Sequence, residues 1–261
     1  MPTPPRIELT AIPGVPMIQP GDDLPGILLH AAHAAGLTFQ TGDVLVVAQK
    51  VVSKAEGRLV DLQTVIPSPR AVELAEASRK DARIVELILR ESNEILRVRP
   101  DAIIVEHRRG FVCANAGIDQ SNAGAPDGAT SAGPWALLLP EDPDRSARRL
   151  RDAIRARTGA DIAVIVSDSH GRAWRLGTVG VAIGVAGLHP LSDLRGKPDL
   201  SGRPLQITEV GTADEIAAAA GLLMGQAAEG TPAVLVRGAP FIEGEGELRE
   251  ILRPREKDLF R

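Results

Sequence analysis

Asp161-Ile162-Ala163-Val164-Ile165-Val166-Ser167-Asp168-Ser169-His170-Gly171-Arg172 decides how this chain is read. An apolar, β-branched run stops at a carboxylate, two hydroxyls, an imidazole, a glycine and an arginine. Short and bounded by turn residues, the run predicts a strand buried on both faces. A buried strand delivers the residues after it to one edge of its sheet, where α/β architectures bind ligands. Asp168 is therefore a candidate carboxylate for metal or phosphate chemistry. A polar turn closing a strand is the alternative reading of the same residues.

The flanking segments extend the pattern. Asp142-Pro143 starts a helix expected to reach about Thr158 and to be closed by Gly159. With a short strand over 137–139 it suggests a strand–helix–strand unit. Downstream, 181–185 and 205–210 read as strands. Thr212-Ala213-Asp214-Glu215 opens a helix to about Met224, apolar nearly all round and so expected to be buried. A loop over 225–230 and a core strand over 232–236 come next.

In the N-terminal half, 7–12 alternates as a strand and runs into a rigid proline loop over 13–18. Asp22 or Asp23 caps a helix to about Ala35. A strand over 44–48 leads to a loop with Lys50 and Lys54. Ser68-Pro69 starts a helix that breaks near Lys80-Asp81. A second helix is expected over 82–97, with Ile84, Ile88 and Ile95 on one stripe. Segments 102–106 and 111–114 form a hairpin, and the 123–134 loop is expected to be mobile. Mixed hairpins and crossovers point to an α+β, or mixed α/β, fold.

Composition narrows the function. With 261 residues, 44% hydrophobic and 25% charged, the chain can bury a substantial core. A net charge of −4 gives no basis for nucleic-acid binding. No apolar run approaches the roughly 20 residues of a membrane span, and no apolar leader core opens the chain. One cysteine, Cys113, precludes an internal disulfide and suits a reducing cytoplasm. With five scattered histidines, a metal here is a hard cation on oxygen ligands, Mg²⁺ or Mn²⁺.

Four polar clusters close apolar segments. Lys50 and Lys54 either neutralise phosphates or sit in solvent. Asn115 to Asn122 packs Asp119, a candidate Mg²⁺ ligand, beside Ser121, or forms an Asx-turn loop. Asp168-Ser169 pairs a carboxylate with a hydroxyl, a set Mg²⁺ accepts alongside phosphate oxygens. Arg172 and Arg175 lie just beyond, where an arginine offsets charge on a transferring phosphoryl group. His170 reads as a loop hydrogen-bonder and Trp174 as packing. Gly225 to Gly230 lets backbone approach a ligand or simply caps a helix. The arginines of 145–157 read as a solvated face paired with Asp144 and Asp152.

At these clusters the chain resembles the coenzyme F420-0:γ-glutamyl ligases. The matching stretches include Gly14-Val15-Pro16-Met17-Ile18, Gly42-Asp43-Val44-Leu45-Val46-Val47 and Val52-Ser53-Lys54-Ala55-Glu56-Gly57-Arg58. Asn115-Ala116-Gly117-Ile118-Asp119, Ser167-Asp168-Ser169, Ala213-Asp214-Glu215-Ile216 and Met224-Gly225 continue the match in order. The resemblance implies a GTP-dependent ligase that adds L-glutamate to coenzyme F420-0, and to F420-1, as a γ-linked amide through an acyl phosphate. It implies one domain over 1–261 with room for two lobes, no following flavin-reductase domain, and an intertwined cytoplasmic homodimer.

Carried over by motif, Asp119 and Asp168 would bind one of two divalent ions, and Ser169 and Gln226 the other, with K⁺ as a monovalent cation. Val15, Pro16, Met17, Ile18, Gln49, Lys50, Lys54 and Asn122 would contact GTP. So would the loop of Met224, Gly225, Gln226, Ala227, Ala228, Glu229, Gly230 and Thr231. Asp119, Asp168 and Lys54 would carry catalysis. The chain departs from some members at Gln226, which replaces a glutamate, and at Gln49-Lys50, which replace small hydroxyl residues. The varied identity at position 170 argues against a base there. A metal-dependent phosphohydrolase or kinase on the Asp119–Asp168 pair, and a non-catalytic nucleotide-binding module, are the rival readings.

Overall fold

A computed structural model describes residues 4–260; residues 1–3 and 261 lie outside them. The chain begins with β1 (Glu8–Ala11), α1 (Leu24–Ala34), β2 (Val44–Ala48), α2 (Gln49–Ala55) and β3 (Leu59–Asp61). Next come α3 (Pro69–Ser78), α4 (Ala82–Arg90), β4 (Ser92–Arg99), β5 (Ala102–His107), β6 (Val112–Ala114) and β7 (Trp135–Leu137). α5 (Pro143–Thr158) precedes β8 (Ala163–Arg172), β9 (Arg175–Ala186), β10 (Leu188–His189), β11 (Ser192–Asp193) and β12 (Glu209–Val210). α6 (Thr212–Met224), β13 (Ala233–Arg237) and β14 (Ile242–Glu243) complete it.

The central sheet runs β1-β13-β2-β8-β9. Among the described residues only β2 and β8 pair in parallel, with Val44 opposite Ala163 and Ala48 opposite Ser167. Their β-branched residues alternate between two cores, as a period of two requires. Leu45, Val47, Val164 and Val166 face a core shared with α1, α4 and α5. Val44, Val46, Ala163 and Ile165 face a smaller core under α6. Buried Asp43 ties β2 to β13: its carboxylate accepts from Arg237 Nε at 2.8 Å and Nη2 at 2.7 Å. Such forked, charge-assisted bonds suit a site largely removed from water. Smaller sheets, β4-β5-β6 and β3-β7 among them, flank this layer, giving a mixed α+β architecture.

Two glycines of β9 set how closely helices approach. A Cβ at Gly184 would overlap the backbone of Pro143, the first residue of α5. One at Gly180 would overlap the Ala217 carbonyl of α6. α5 starts and stops where its capping residues predict. Asp142 Oδ1 accepts from Arg145 N at 3.0 Å, and Gly159 ends the helix at φ 76°.

Several expectations are corrected. The polar residues 167–172 are not a turn after the strand; they continue β8, because the β9 hairpin pairs with them out to Arg172. Residues 49–55 form α2 instead of a loop, with Gln49, Ser53 and Lys54 buried. The helix expected over 82–97 ends at Arg90, and Ile95 packs on the core from β4. Pairing with β5 overrides the helical spacing there. The parallel partner of β8 is β2, while the strand before α5 is β7 and pairs with β3, so no strand–helix–strand unit forms there. Of 205–210 only Glu209 and Val210 form a strand, paired with β11.

α6 is not buried all round, since Leu222 is 85% exposed. Asp23 precedes α1 without capping it and instead binds Arg157 at 2.9 and 3.0 Å. Asp22 Oδ2 accepts from Gln19 N at 2.7 Å. The α5 arginines reach Asp23, Asp161 and Glu245, whereas Asp144 accepts the backbone N–H groups of Val185 and Leu248.

Gly184→Ala tests the close approach of α5. It should destabilise the protein by about 1–3 kcal/mol, the usual range for overpacking. Urea unfolding that matches the parent would show that α5 can lift away without cost.

Candidate functional site

A cleft of about 370 Å³ opens where β2 ends and β8 turns polar. The parallel register places Ala48 beside Ser167, so α2 begins next to Asp168. One wall is the Val15, Pro16, Met17 and Ile18 loop. Gln49, Lys50 and Lys54 project from α2, and Ser167, Asp168 and Ser169 from β8. The loop from Met224 to Thr231 closes the opposite side, and Asn122 sits at the rim. All residues singled out for nucleotide contact therefore meet in one cleft, although they come from four distant parts of the chain. Ala48, Val51, Gly180, Gly221 and Pro232 line it as well. Gly180 carried a findable signal, a glycine inside an apolar strand pattern.

Asp119 is the exception: it stands behind the lining and touches the cleft through Lys50. Lys50 Nζ lies 2.6 Å from Asp119 Oδ2 and donates to Ser121 Oγ at 2.8 Å. Asp119 Oδ1 accepts from Ser121 N at 2.6 Å. Its backbone is pinned by paired bonds to Leu137. Burial pushes the Asp119 pKa up, but Lys50 and Ser121 outweigh burial and hold it below the usual carboxylate range. Lys54 has the opposite balance. It is buried in α2, and burial followed by the charge of Lys50 lowers its pKa.

Asp168 Oδ2 lies 3.0 Å from His170 Nε2. The buried Cys113 thiol is pushed up to about 12, by burial first and then by the negative charge of Asp168. The 224–231 loop is self-braced. Gly225 has φ 70°, and a Cβ there would overlap the Glu229 side chain. Glu229 Oε2 accepts from Ala227 N at 2.8 Å, and Thr231 Oγ1 donates to Leu223 O at 2.8 Å. Arg172 and Arg175 do not line the cleft; Arg172 Nη2 points at Leu176 O. Trp174 is exposed at the hairpin turn and lies against Phe260.

Among the described residues, no three His, Cys, Asp or Glu side chains converge as a metal cage. Asp168, Ser169 and Gln226 do line the same cleft. Such a sparse, all-oxygen set suits a hard divalent ion that takes its remaining ligands from phosphates and water.

Fold and site define a mixed α+β protein with a cleft walled by two lysines, a carboxylate and a glycine-bearing loop. The chain belongs to the F420-0:Gamma-glutamyl ligase family, whose model matches residues 14–238. It is 48% identical over 257 residues to a coenzyme F420:L-glutamate ligase of Methanothermobacter thermautotrophicus, covering 98% of this chain and 99% of the relative. A Methanopyrus kandleri protein of the same description is 48% identical over 261 residues, covering 98% of each chain. One from Archaeoglobus fulgidus is 44% identical over 256 residues, covering 98% of this chain and 97% of the relative.

Lys50→Met should raise the Asp119 pKa, because burial stays while the ammonium goes. A carboxyl ¹³C NMR titration measures it. An unmoved titration would mean that Lys50 does not hold that carboxylate.

Proposed function

We propose that this protein joins the amine of L-glutamate to a carboxylate of coenzyme F420-0 as an amide, and a second glutamate to the γ-carboxylate of the first, using GTP, as a cytoplasmic enzyme of coenzyme F420 biosynthesis. Family membership supports the substrates. The observation that carries the chemistry is the convergence of Lys50, Lys54, Asp168 and the 224–231 loop on one cleft. A carboxylate of F420-0 attacks the γ-phosphorus of GTP, giving an acyl phosphate and GDP. The amine of glutamate then attacks the acyl carbon, and phosphate leaves as the amide forms. F420-1 enters the same sequence for a second addition.

Phosphoryl transfer asks a protein for positioning and charge more than for covalent chemistry. The Val15–Ile18 and Met224–Thr231 loops grip the nucleotide from two sides. Lys50 leaves Asp119 for the phosphates when that carboxylate turns to a cation. Lys54, already desolvated, places its ammonium against the transferring group. Asp119 and Asp168 would hold one divalent ion, Mg²⁺ or Mn²⁺, with Ser169 and Gln226 holding a second and K⁺ assisting. The ions would offset charge on the phosphoryl oxygens. A homodimer belongs to the same proposal; exposed Leu176 and Leu222 are apolar surface that a second copy would cover.

The test is incubation with F420-0, glutamate, Mn²⁺ and either GTP or ATP, read by mass spectrometry. A gain of one or more glutamate residues with GTP is expected. Phosphate release without mass gain would instead favour a phosphohydrolase on the same pair of aspartates. Asp168→Asn should lower turnover on the order of 100-fold or more, as when one preorganised charge-stabilising group is lost, with unchanged circular dichroism. Near-parent turnover would remove Asp168 from the chemistry.

A further inference from the structure

We infer that His170 is a positioning residue for Asp168: its Nε2–H holds one carboxylate oxygen so that the other is aimed at a divalent cation in the cleft. This rests on the reading of Asp168 as a cation ligand. Residues 168 and 170 are two apart on β8 and share one face of the strand. Nε2 lies 3.0 Å from Oδ2, and the two side chains are only 13% and 15% exposed. An ionised carboxylate only accepts, so the hydrogen in that bond sits on the imidazole. Where water is largely excluded, such a bond strengthens and fixes both rotamers.

The imidazole is itself buttressed. Its ring lies 5.6 Å from Phe111, which stacks at 4.8 Å and 8° on buried His107. His107 Nδ1 accepts from Arg109 N at 3.1 Å, which leaves Nε2 protonated and 3.7 Å from Glu91. Arg58 and Arg108 hold Glu91 at 3.2 Å each. An ionic cluster around buried Glu91 thus backs an aromatic stack, the stack backs His170, and His170 backs Asp168. Outer partners of this kind orient a ligand and tune its basicity.

Mn²⁺ binding to the full chain, followed by electron paramagnetic resonance, tests this alongside the KM for Mn²⁺ and kcat. His170→Ala should weaken Mn²⁺ binding about tenfold, the usual cost of an outer-partner loss, and raise the KM for Mn²⁺ more than it lowers kcat. His170→Gln, which restores a donor, should return binding toward the parent. His170→Phe keeps a ring against Phe111 but has no donor, and should bind as weakly as His170→Ala. Parent-like binding by His170→Ala or His170→Phe, or no recovery in His170→Gln, would overturn the positioning role. Asp168→Asn separates the two ideas. If it binds Mn²⁺ as the parent does, the cation-site reading fails; if it loses Mn²⁺ while His170→Ala keeps it, only the positioning role fails.

Discussion

The parallel ladder between β2 and β8 holds the site together. It matches Val47 to Val166 and Ala48 to Ser167, so the start of α2 and the polar half of β8 leave the core side by side. Both strands are buried on both faces, and a slip of one residue would send every side chain to the opposite core, where the packing does not match it. The register is therefore as strongly specified as the core itself. The distance from Lys50 and Lys54 to Asp168 is set by it.

The other walls depend on close backbone approach. Without side chains, Gly180 and Gly184 let α6 and α5 settle on β9. α6 in turn carries the 224–231 loop to the cleft mouth. A rigid strand floor thus faces a loop braced by its own glutamate and threonine. That division suits a cleft that must bind and release, because loops adjust more cheaply than a packed sheet.

Electrostatics in the cleft work against burial. Asp119 stays low because Lys50 and Ser121 outweigh its desolvation. Lys54 has lost part of its preference for the charged form to burial and to its neighbour. A negative charge brought beside Lys54 would favour its charged form again.

Strong local signals survived folding. Asp142-Pro143 with Gly159 bounded α5, and the apolar runs marked β2 and β8, because caps and buried strands are local properties; α6 starts at Thr212 but with Gly211, not a side chain, at its cap. The motifs, with the resemblance they carry, also named many of the residues that line the cleft, but not Gly180 or Gly221, and Asp119 stands behind it. Other features needed the tertiary structure. The Ile84, Ile88 and Ile95 spacing suited a helix until β5 claimed residues 92–99, and the polar run 167–172 looked like a turn until β9 paired with it. The Lys50–Asp119 pair spans 69 positions, and Asp168 meets His170 on a strand that local pattern alone ends too early. The sequence by itself determined which residues are apolar, capped or reactive, since those are properties of short segments. Only the tertiary structure decided which of them meet, because pairing and packing are long-range and no local propensity encodes a partner.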